Sequence, residues 1–298
     1  AAACAEVLAG NGIRVYLTSK AAPTPVVSYS IVSKKAGGAI VITASHNPGK
    51  WNGFKYKPHY AGSASQEVVD ALEHHIANVP SASYVKRLSL DKAMAQGAVE
   101  MFDPAEPYLA HLAELVDLKA LQKSGLKVAV DSMHGAGAGY LKALLRGGRT
   151  TVSEIRASRN PVFPGMGQPE PIAHNLRPLF SKVRATGASV GLATDGDADR
   201  LGVIDEKGNY LTTLQVFALL TLYTLEVRGE RGAIVKSLTT SRMVNKLGKL
   251  FGAAVHETPV GFKYIGPVMM KERASIAGEE SGGYAFKGHI PERDGILS

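Results

Sequence analysis

Residues 188–204 read Ala188-Ser189-Val190-Gly191-Leu192-Ala193-Thr194-Asp195-Gly196-Asp197-Ala198-Asp199-Arg200-Leu201-Gly202-Val203-Ile204. Two short apolar runs, 188–193 and 201–204, enclose a turn on which three carboxylates alternate with glycine and alanine. Both runs have the length and content of strands. A helical stretch at 176–185 precedes them, and helix feeding strand is the unit of an α/β sheet.

The alternation extends both ways. A helix over 1–8, stopped by Gly10-Asn11-Gly12, leads to a strand at 13–18. Thr24-Pro25 caps and opens a helix reaching about Lys35. A strand at 38–43, the polar loop 45–50 and a helix at 66–77 follow. Beyond a polar, weakly periodic stretch at 81–97, the spacing gives a helix at 104–115, a strand at 127–131, a glycine-rich turn at 134–139 and a helix at 140–145. Residues 158–171 hold four prolines and read as loop. After the turn Lys207-Gly208-Asn209, helices are expected at 214–227, 241–250 and 264–271, with strands at 233–237, 253–256 and 275–277. Nothing closes the tail at 290–298. Strands separated by helices need crossover connections. The expected fold is therefore α/β, with three successive similar domains, 1–100, 101–206 and 207–298, and mainly parallel mixed sheets.

Of the 298 residues, 45% are apolar and 20% charged, which excludes a disordered or collagen-like chain. Cys4 is the single cysteine, so neither an intrachain disulfide nor a cysteine zinc site can form, and a cytoplasmic setting is expected. Apolar stretches such as 217–223 are too short for a bilayer, and 1–9 contains Glu6 without a basic leader, so neither membrane span nor signal peptide is expected. The net charge of +8 favours anionic partners. No basic stripe with interleaved aromatics appears, so nucleic acid is not expected among them.

In open α/β sheets the chemistry sits at the C-terminal ends of strands. Each unit has a polar loop there. The first, Thr43-Ala44-Ser45-His46-Asn47-Pro48, is either turn filler or the seat of a nucleophilic or phosphate-carrying Ser45. It lacks the frame of a nucleophile elbow. His46, being its neighbour, is not expected to be its general base. The second, 195–200, would repel itself without a cation, and its hard oxygens suit Mg²⁺, Mn²⁺ or Ca²⁺. It is no EF-hand: Glu206 falls twelfth from Asp195, but Arg200 stands sixth, where glycine is required. The third, Gly278-Glu279-Glu280-Ser281-Gly282-Gly283, is an ordinary turn or a binder of sugar hydroxyls. Gly135-Ala136-Gly137-Ala138-Gly139-Tyr140 imitates a dinucleotide loop, but Tyr140 replaces its third glycine. Close helix–sheet packing is the expected reason for these glycines.

Taken together and in this order, Thr43–Pro48, Asn52-Gly53-Phe54-Lys55, Pro169-Glu170-Pro171, Asp195–Arg200, Gly261-Phe262-Lys263-Tyr264 and Gly278–Gly283 make the chain resemble the α-D-phosphohexomutase superfamily, the phosphoglucomutase/phosphomannomutase enzymes. The resemblance implies a phosphoserine at Ser45, one Mg²⁺ held by Asp195, Asp197, Asp199 and a phosphoserine oxygen, and Arg200 beside the phosphate. It implies Lys55 near the transferring phosphoryl group, sugar hydroxyls on Glu279 and Ser281, and Lys263 on the substrate. The implied reaction interconverts hexose 1-phosphate and 6-phosphate, of glucose or mannose, through a hexose 1,6-bisphosphate. Phosphoglucosamine is the alternative substrate, and a catalytically impaired sugar-phosphate binder the alternative role.

The chain departs from that pattern in two ways. Gly283 stands where some relatives have histidine, which leaves His46, Lys55 and His289 as candidates for proton handling. The family's opening strand, its Arg-containing turn and its fourth, phosphate-gripping domain have no counterpart here, so a piece of the family fold is expected, with weak substrate capture.

Overall fold

A computed structural model describes residues 1–298. The first unit runs α1 (Ala2–Gly10), β1 (Val15–Thr18), α2 (Thr24–Lys34), β2 (Gly38–Ile42), β3 (Phe54–Pro58), α3 (Gln66–Ala77), α4 (Leu90–Ala95) and β4 (Val99–Phe102). Its strands form two separate pairs, β1 with β4 in parallel and β2 with β3 antiparallel. The polar stretch at 81–97 thus contains α4 and leads into β4, which straddles the expected boundary at 100. Four-residue β4 draws its regularity from partner β1, far off in sequence, and not from a pattern of its own. Thr24 does not cap α2. Pro23 holds that position, and the Thr24 hydroxyl donates instead to Asp197 Oδ2 at 2.7 Å, in the second unit.

The second unit comprises α5 (Ala105–Leu115), α6 (Leu118–Lys123), β5 (Lys127–Asp131), α7 (Tyr140–Leu145), β6 (Thr151–Ile155), α8 (Arg177–Thr186), β7 (Val190–Thr194), β8 (Leu201–Ile204) and β9 (Tyr210–Leu211). Its sheet is ordered β6-β5-β7-β8-β9; β6, β5 and β7 are parallel, and β8 and β9 reverse. The third unit comprises α9 (Thr213–Leu222), a π-helical turn (Tyr223–Val227), β10 (Ile234–Ser237), α10 (Met243–Phe251), β11 (Val255–Thr258), α11 (Phe262–Lys271), β12 (Ile276–Gly278) and β13 (Tyr284–Phe286). Its sheet is ordered β11-β10-β12-β13, with β13 antiparallel. The α/β class with mixed sheets is borne out.

The same device recurs in all three units. Each polar loop joins two antiparallel neighbours: β2 to β3, β7 to β8 and β12 to β13. The short strands β3 and β13, absent from the sequence reading, close these hairpins. Pairing of Val41 with Lys55 brings the loop carrying Ser45 and the Lys55 side chain to one end of the first hairpin.

Apolar packing runs across the units. Val26 of α2 joins Tyr108, Leu112, Val128, Val130 and Ile296 in one core. Leu201 of β8 packs with Phe217, Ile276 and Tyr284 of the third unit. Each fully buried side chain of this kind is worth about 1.5–3 kcal/mol. No helix is long and apolar enough to cross a membrane.

A polar junction sits beside the first core. Asp294 accepts from Tyr108 Oη at 2.7 Å and faces His289 Nε2 at 2.9 Å, while His289 Nδ1 lies 3.1 Å from His111 Nε2. Tyr29 of α2 stacks on the His111 ring, and Glu114 stands 3.6 Å from His111 Nδ1. Burial, and then the facing His289, pull the His111 pKa down, against the opposing pull of Glu114 and Asp294. The folded chain therefore binds this proton less readily than the unfolded chain. The stability it contributes is complete above the ordinary histidine range and is lost as pH falls through the lowered value. Urea melts between about pH 7 and about pH 5 should show a falling midpoint. In His111→Gln the fall should be shallower; an equal fall would remove His111 from its cause.

Candidate active site

The turn 195–200 is the hub on which the other loops close. A β-carbon at Gly196 would lie 2.4 Å from the Ser45 carbonyl oxygen, so the serine loop sits directly on this glycine. On another side a β-carbon at Gly135 would lie 2.7 Å from the Gly196 carbonyl oxygen. Gly135 and Gly137 of the turn that imitates a dinucleotide loop are bare where the acidic turn comes close, and Gly139 sits at φ 84°, reasons different from the helix–sheet packing expected. The Thr24 amide donates to the Asp197 carbonyl at 2.9 Å, Leu201 to Gly282 at 2.9 Å, and Gly295 to Ala198 at 3.1 Å. All three units thus hold the same six residues.

Asp195, Asp197 and Asp199 are 0%, 3% and 0% exposed. Asp195 and Asp197 each have one oxygen anchored by hydrogen bonds and one without a donor, while neither oxygen of Asp199 accepts a hydrogen bond and its Oδ2 is held by ion pairs alone. Asp195 Oδ1 accepts the amides of Asp199 (3.0 Å) and Arg200 (3.2 Å), which shapes the turn. Asp197 Oδ2 accepts Thr24 Oγ1, Thr43 Oγ1 (3.2 Å) and Lys55 Nζ (2.9 Å). Asp199 Oδ2 faces Arg293 Nη2 at 2.8 Å and Lys55 Nζ at 3.7 Å. Asp195 Oδ2, Asp197 Oδ1 and Asp199 Oδ1 accept no hydrogen bond. One carboxylate oxygen from each residue can be chosen so that all lie within 4.8 Å of one another. Burial that leaves hard oxygens undonated is the chemistry of a divalent-cation site, and the residues fit Mg²⁺.

The charges agree. Burial first, then Asp199 and Asp197, push the Asp195 carboxyl well above the usual range. Burial alone would raise Asp199 too, but Arg293, Lys55 and Arg200 together hold it below. Burial pulls Lys55 down, yet Asp199 and Asp197 more than offset it, so its ammonium is kept charged.

Ser45 sits at φ 54°, with its amide on Thr43 Oγ1 at 2.8 Å. The strained turn brings His46 Nδ1 to 3.4 Å from Ser45 Oγ. Burial, and next Arg200, lower the His46 pKa. Arg200 Nη1 reaches Glu170 Oε1 at 3.3 Å, and its Nε stands 3.9 Å from Asp199 Oδ1.

The third loop meets this cluster through a residue that sequence reasoning missed. Arg293 bridges Asp199 to Glu279, with Nη1 2.8 Å from Glu279 Oε1. Ser281 Oγ donates to the same oxygen at 2.7 Å. Glu280 turns away to Ser237 Oγ at 2.7 Å. The only sequence signal for Arg293 was the run Glu292-Arg293-Asp294 amid apolar neighbours. Lys263 lies outside the network. On the first turn of α11, it donates to Gln66 Oε1 of the first unit at 2.9 Å. His289, a candidate for proton handling, is corrected: its side chain is fully covered, and both ring nitrogens are engaged by His111 and Asp294.

Family models described as phosphoglucomutase/phosphomannomutase alpha/beta/alpha domains I, II and III match residues 1–83, 106–208 and 213–298. The chain is 33% identical over 278 residues to a phosphoglucomutase/phosphomannomutase of Thermococcus kodakarensis, covering 93% of this chain and 59% of that protein. It is 32% identical over 284 residues to a probable phosphoglucosamine mutase of Methanothermobacter thermautotrophicus, covering 93% and 57%. A solved putative phosphomannomutase from Thermus thermophilus superposes with a TM-score of 0.90 at 39% identity, over 100% of this chain and 65% of that one. The chain spans less than two thirds of the length of these relatives. With all three domain models matched in order, the chain belongs to the phosphoglucomutase/phosphomannomutase family.

Proposed function

We propose that this chain carries the phosphoserine, metal and sugar-binding parts of a mutase that interconverts hexose 1-phosphate and hexose 6-phosphate. The observation that carries the reading is the seating of the Ser45 carbonyl on Gly196, which joins the serine turn to the acidic turn with no room for a side chain between them. In this reading Mg²⁺ is held by the undonated oxygens of Asp195, Asp197 and Asp199 together with an oxygen on Ser45. Bound there, it supplies positive charge for a phosphoryl group in transfer.

The chain's own groups do the rest. Phosphoryl transfer asks mainly for alignment and charge. Phosphoserine brings about −1.5 to −2 of charge. Lys55, kept protonated by Asp197 and Asp199, and Arg200 offset it from two sides. The phosphorus–oxygen bond to Ser45 breaks as one to a sugar hydroxyl oxygen forms. The hydroxyl proton passes to His46, which burial keeps neutral, and from there to the Ser45 oxygen beside it. The bisphosphorylated sugar turns around, and its other phosphoryl group returns to Ser45 by the same steps reversed. Glu279 and Ser281 receive sugar hydroxyls, and Lys263 closes on the substrate from α11. Glucose and mannose phosphates are the favoured substrates on the loop Glu279-Glu280-Ser281, with phosphoglucosamine the alternative.

Incubation with glucose 1,6-bisphosphate and Mg²⁺ should add one phosphoryl group to the chain by intact mass, located on Ser45 and absent in Ser45→Ala. Binding of the bisphosphate with no phosphoryl gain would instead make the chain a sugar-phosphate binder. Titration with Mn²⁺ should find one site per chain. Asp197→Asn should weaken it about a hundredfold, since affinity follows the ligand charge count. Unchanged affinity would remove the acidic turn as the metal site.

A further inference from the structure

Asp199 and Glu279 belong to different units and carry charge of the same sign, yet both face one guanidinium. Arg293 Nη2 stands 2.8 Å from Asp199 Oδ2 in an ion pair, and its Nη1 donates to Glu279 Oε1 at 2.8 Å. Its Nε stands 3.5 Å from Glu292 Oε1, and the guanidinium lies 5.5 Å from the centre of the Phe262 ring. The side chain is 14% exposed. A planar fork spans two carboxylates at once, which a lysine ammonium does less well. The stem of Arg293 needs room as well. A β-carbon at Gly283 would lie 2.2 Å from Arg293 Cδ and 2.6 Å from Cγ. Gly283 is not among the residues at positive φ, so its backbone accepts a side chain. What forbids one is the arginine.

We propose that Arg293 is the positioning residue that sets Glu279, and with it the sugar loop, against the acidic turn, and that position 283 is glycine because the Arg293 side chain lies across it. This rests on the mutase reading for the role of Glu279. Glu279 is already oriented by Arg293 and Ser281 through one oxygen, which leaves its other oxygen for a sugar hydroxyl. The sugar site and the acidic turn then move as one body, although they belong to different units.

The test is a double-mutant cycle on the full chain. Phosphoryl uptake from glucose 1,6-bisphosphate is measured for wild type, Arg293→Ala, Arg293→Lys, Gly283→Ala and Gly283→Ala/Arg293→Ala. Arg293→Ala should raise KM about tenfold with a smaller fall in kcat, and Arg293→Lys should recover part of it. Gly283→Ala removes no charge, yet should reproduce the loss by displacing the arginine. In the Arg293→Ala background it should cost nothing further. Additive losses, or a KM unmoved by Arg293→Ala, would overturn the proposal. Amide exchange of 278–283 in the metal-free chain gives a readout that needs no turnover. Exchange should quicken in Arg293→Ala and Gly283→Ala and slow again in Arg293→Lys; unchanged exchange in Arg293→Ala overturns the proposal. Absence of phosphoryl uptake in wild type would count against the mutase reading, and the exchange result would still decide the role of Arg293. Should Gly283→Ala fail to fold by circular dichroism, the Arg293→Ala and Arg293→Lys pair decides it.

Discussion

Three carboxylates buried on one six-residue turn cannot stand without positive charge around them. Two unit charges at about 4 Å interact with about 4 kcal/mol at the effective dielectric near a protein surface, and removal from water adds to that cost. Each unit of this chain answers with one cation: Lys55 from the first, Arg200 from the second and Arg293 from the third. The polar loops face one another because the same charge attracts a group from every unit. Even so, Asp195 is left with its carboxyl pushed up and an oxygen without a donor. The undonated oxygens of the three aspartates are what the turn leaves open to a divalent ion.

The final turn of the chain fastens this arrangement. Of three consecutive charged residues, Glu292 meets Lys57 and Ser63 of the first unit, Arg293 meets Asp199 of the second and Glu279 of the third, and Asp294 receives Tyr108 of the second. All are buried or nearly so, and loss of one partner from such a pair leaves an unpaired buried charge, at about 3–5 kcal/mol. The hairpins supply the other half of the design. A loop between antiparallel neighbours is held at both ends; the acidic and sugar loops are also short, whereas the longer serine loop over 43–53 is pinned by its seating on Gly196.

Much of this was legible beforehand. The runs at 38–42, 127–131 and 201–204 announced strands because they are apolar and bounded by turns, and the aspartates announced a cation because their spacing has few other uses. The hairpin partners β3 and β13 were hidden: Phe-Lys-Tyr-Lys-Pro at 54–58 and Tyr-Ala-Phe at 284–286 are too short or too polar to declare themselves, and pairing alone makes them strands. Thr24 read as a helix cap because local rules see only local partners, whereas its acceptor is 173 residues away. Arg293 was invisible for the same reason. Nothing near it in sequence says that its fork closes between Asp199 of the second unit and Glu279 of its own. His46 is a sequence neighbour of Ser45, and only the left-handed backbone at Ser45 shows that its ring lies 3.4 Å from the serine hydroxyl.

In the proposed mechanism a group on Ser45 and the three aspartates share one cation. The most direct measurement is electron–nuclear double resonance of Mn²⁺ bound to the chain phosphorylated on Ser45. A shared ion gives a strong coupling between the manganese and the phosphoserine phosphorus, lost in Asp197→Asn. Manganese bound by the chain with no coupling to that phosphorus would contradict it.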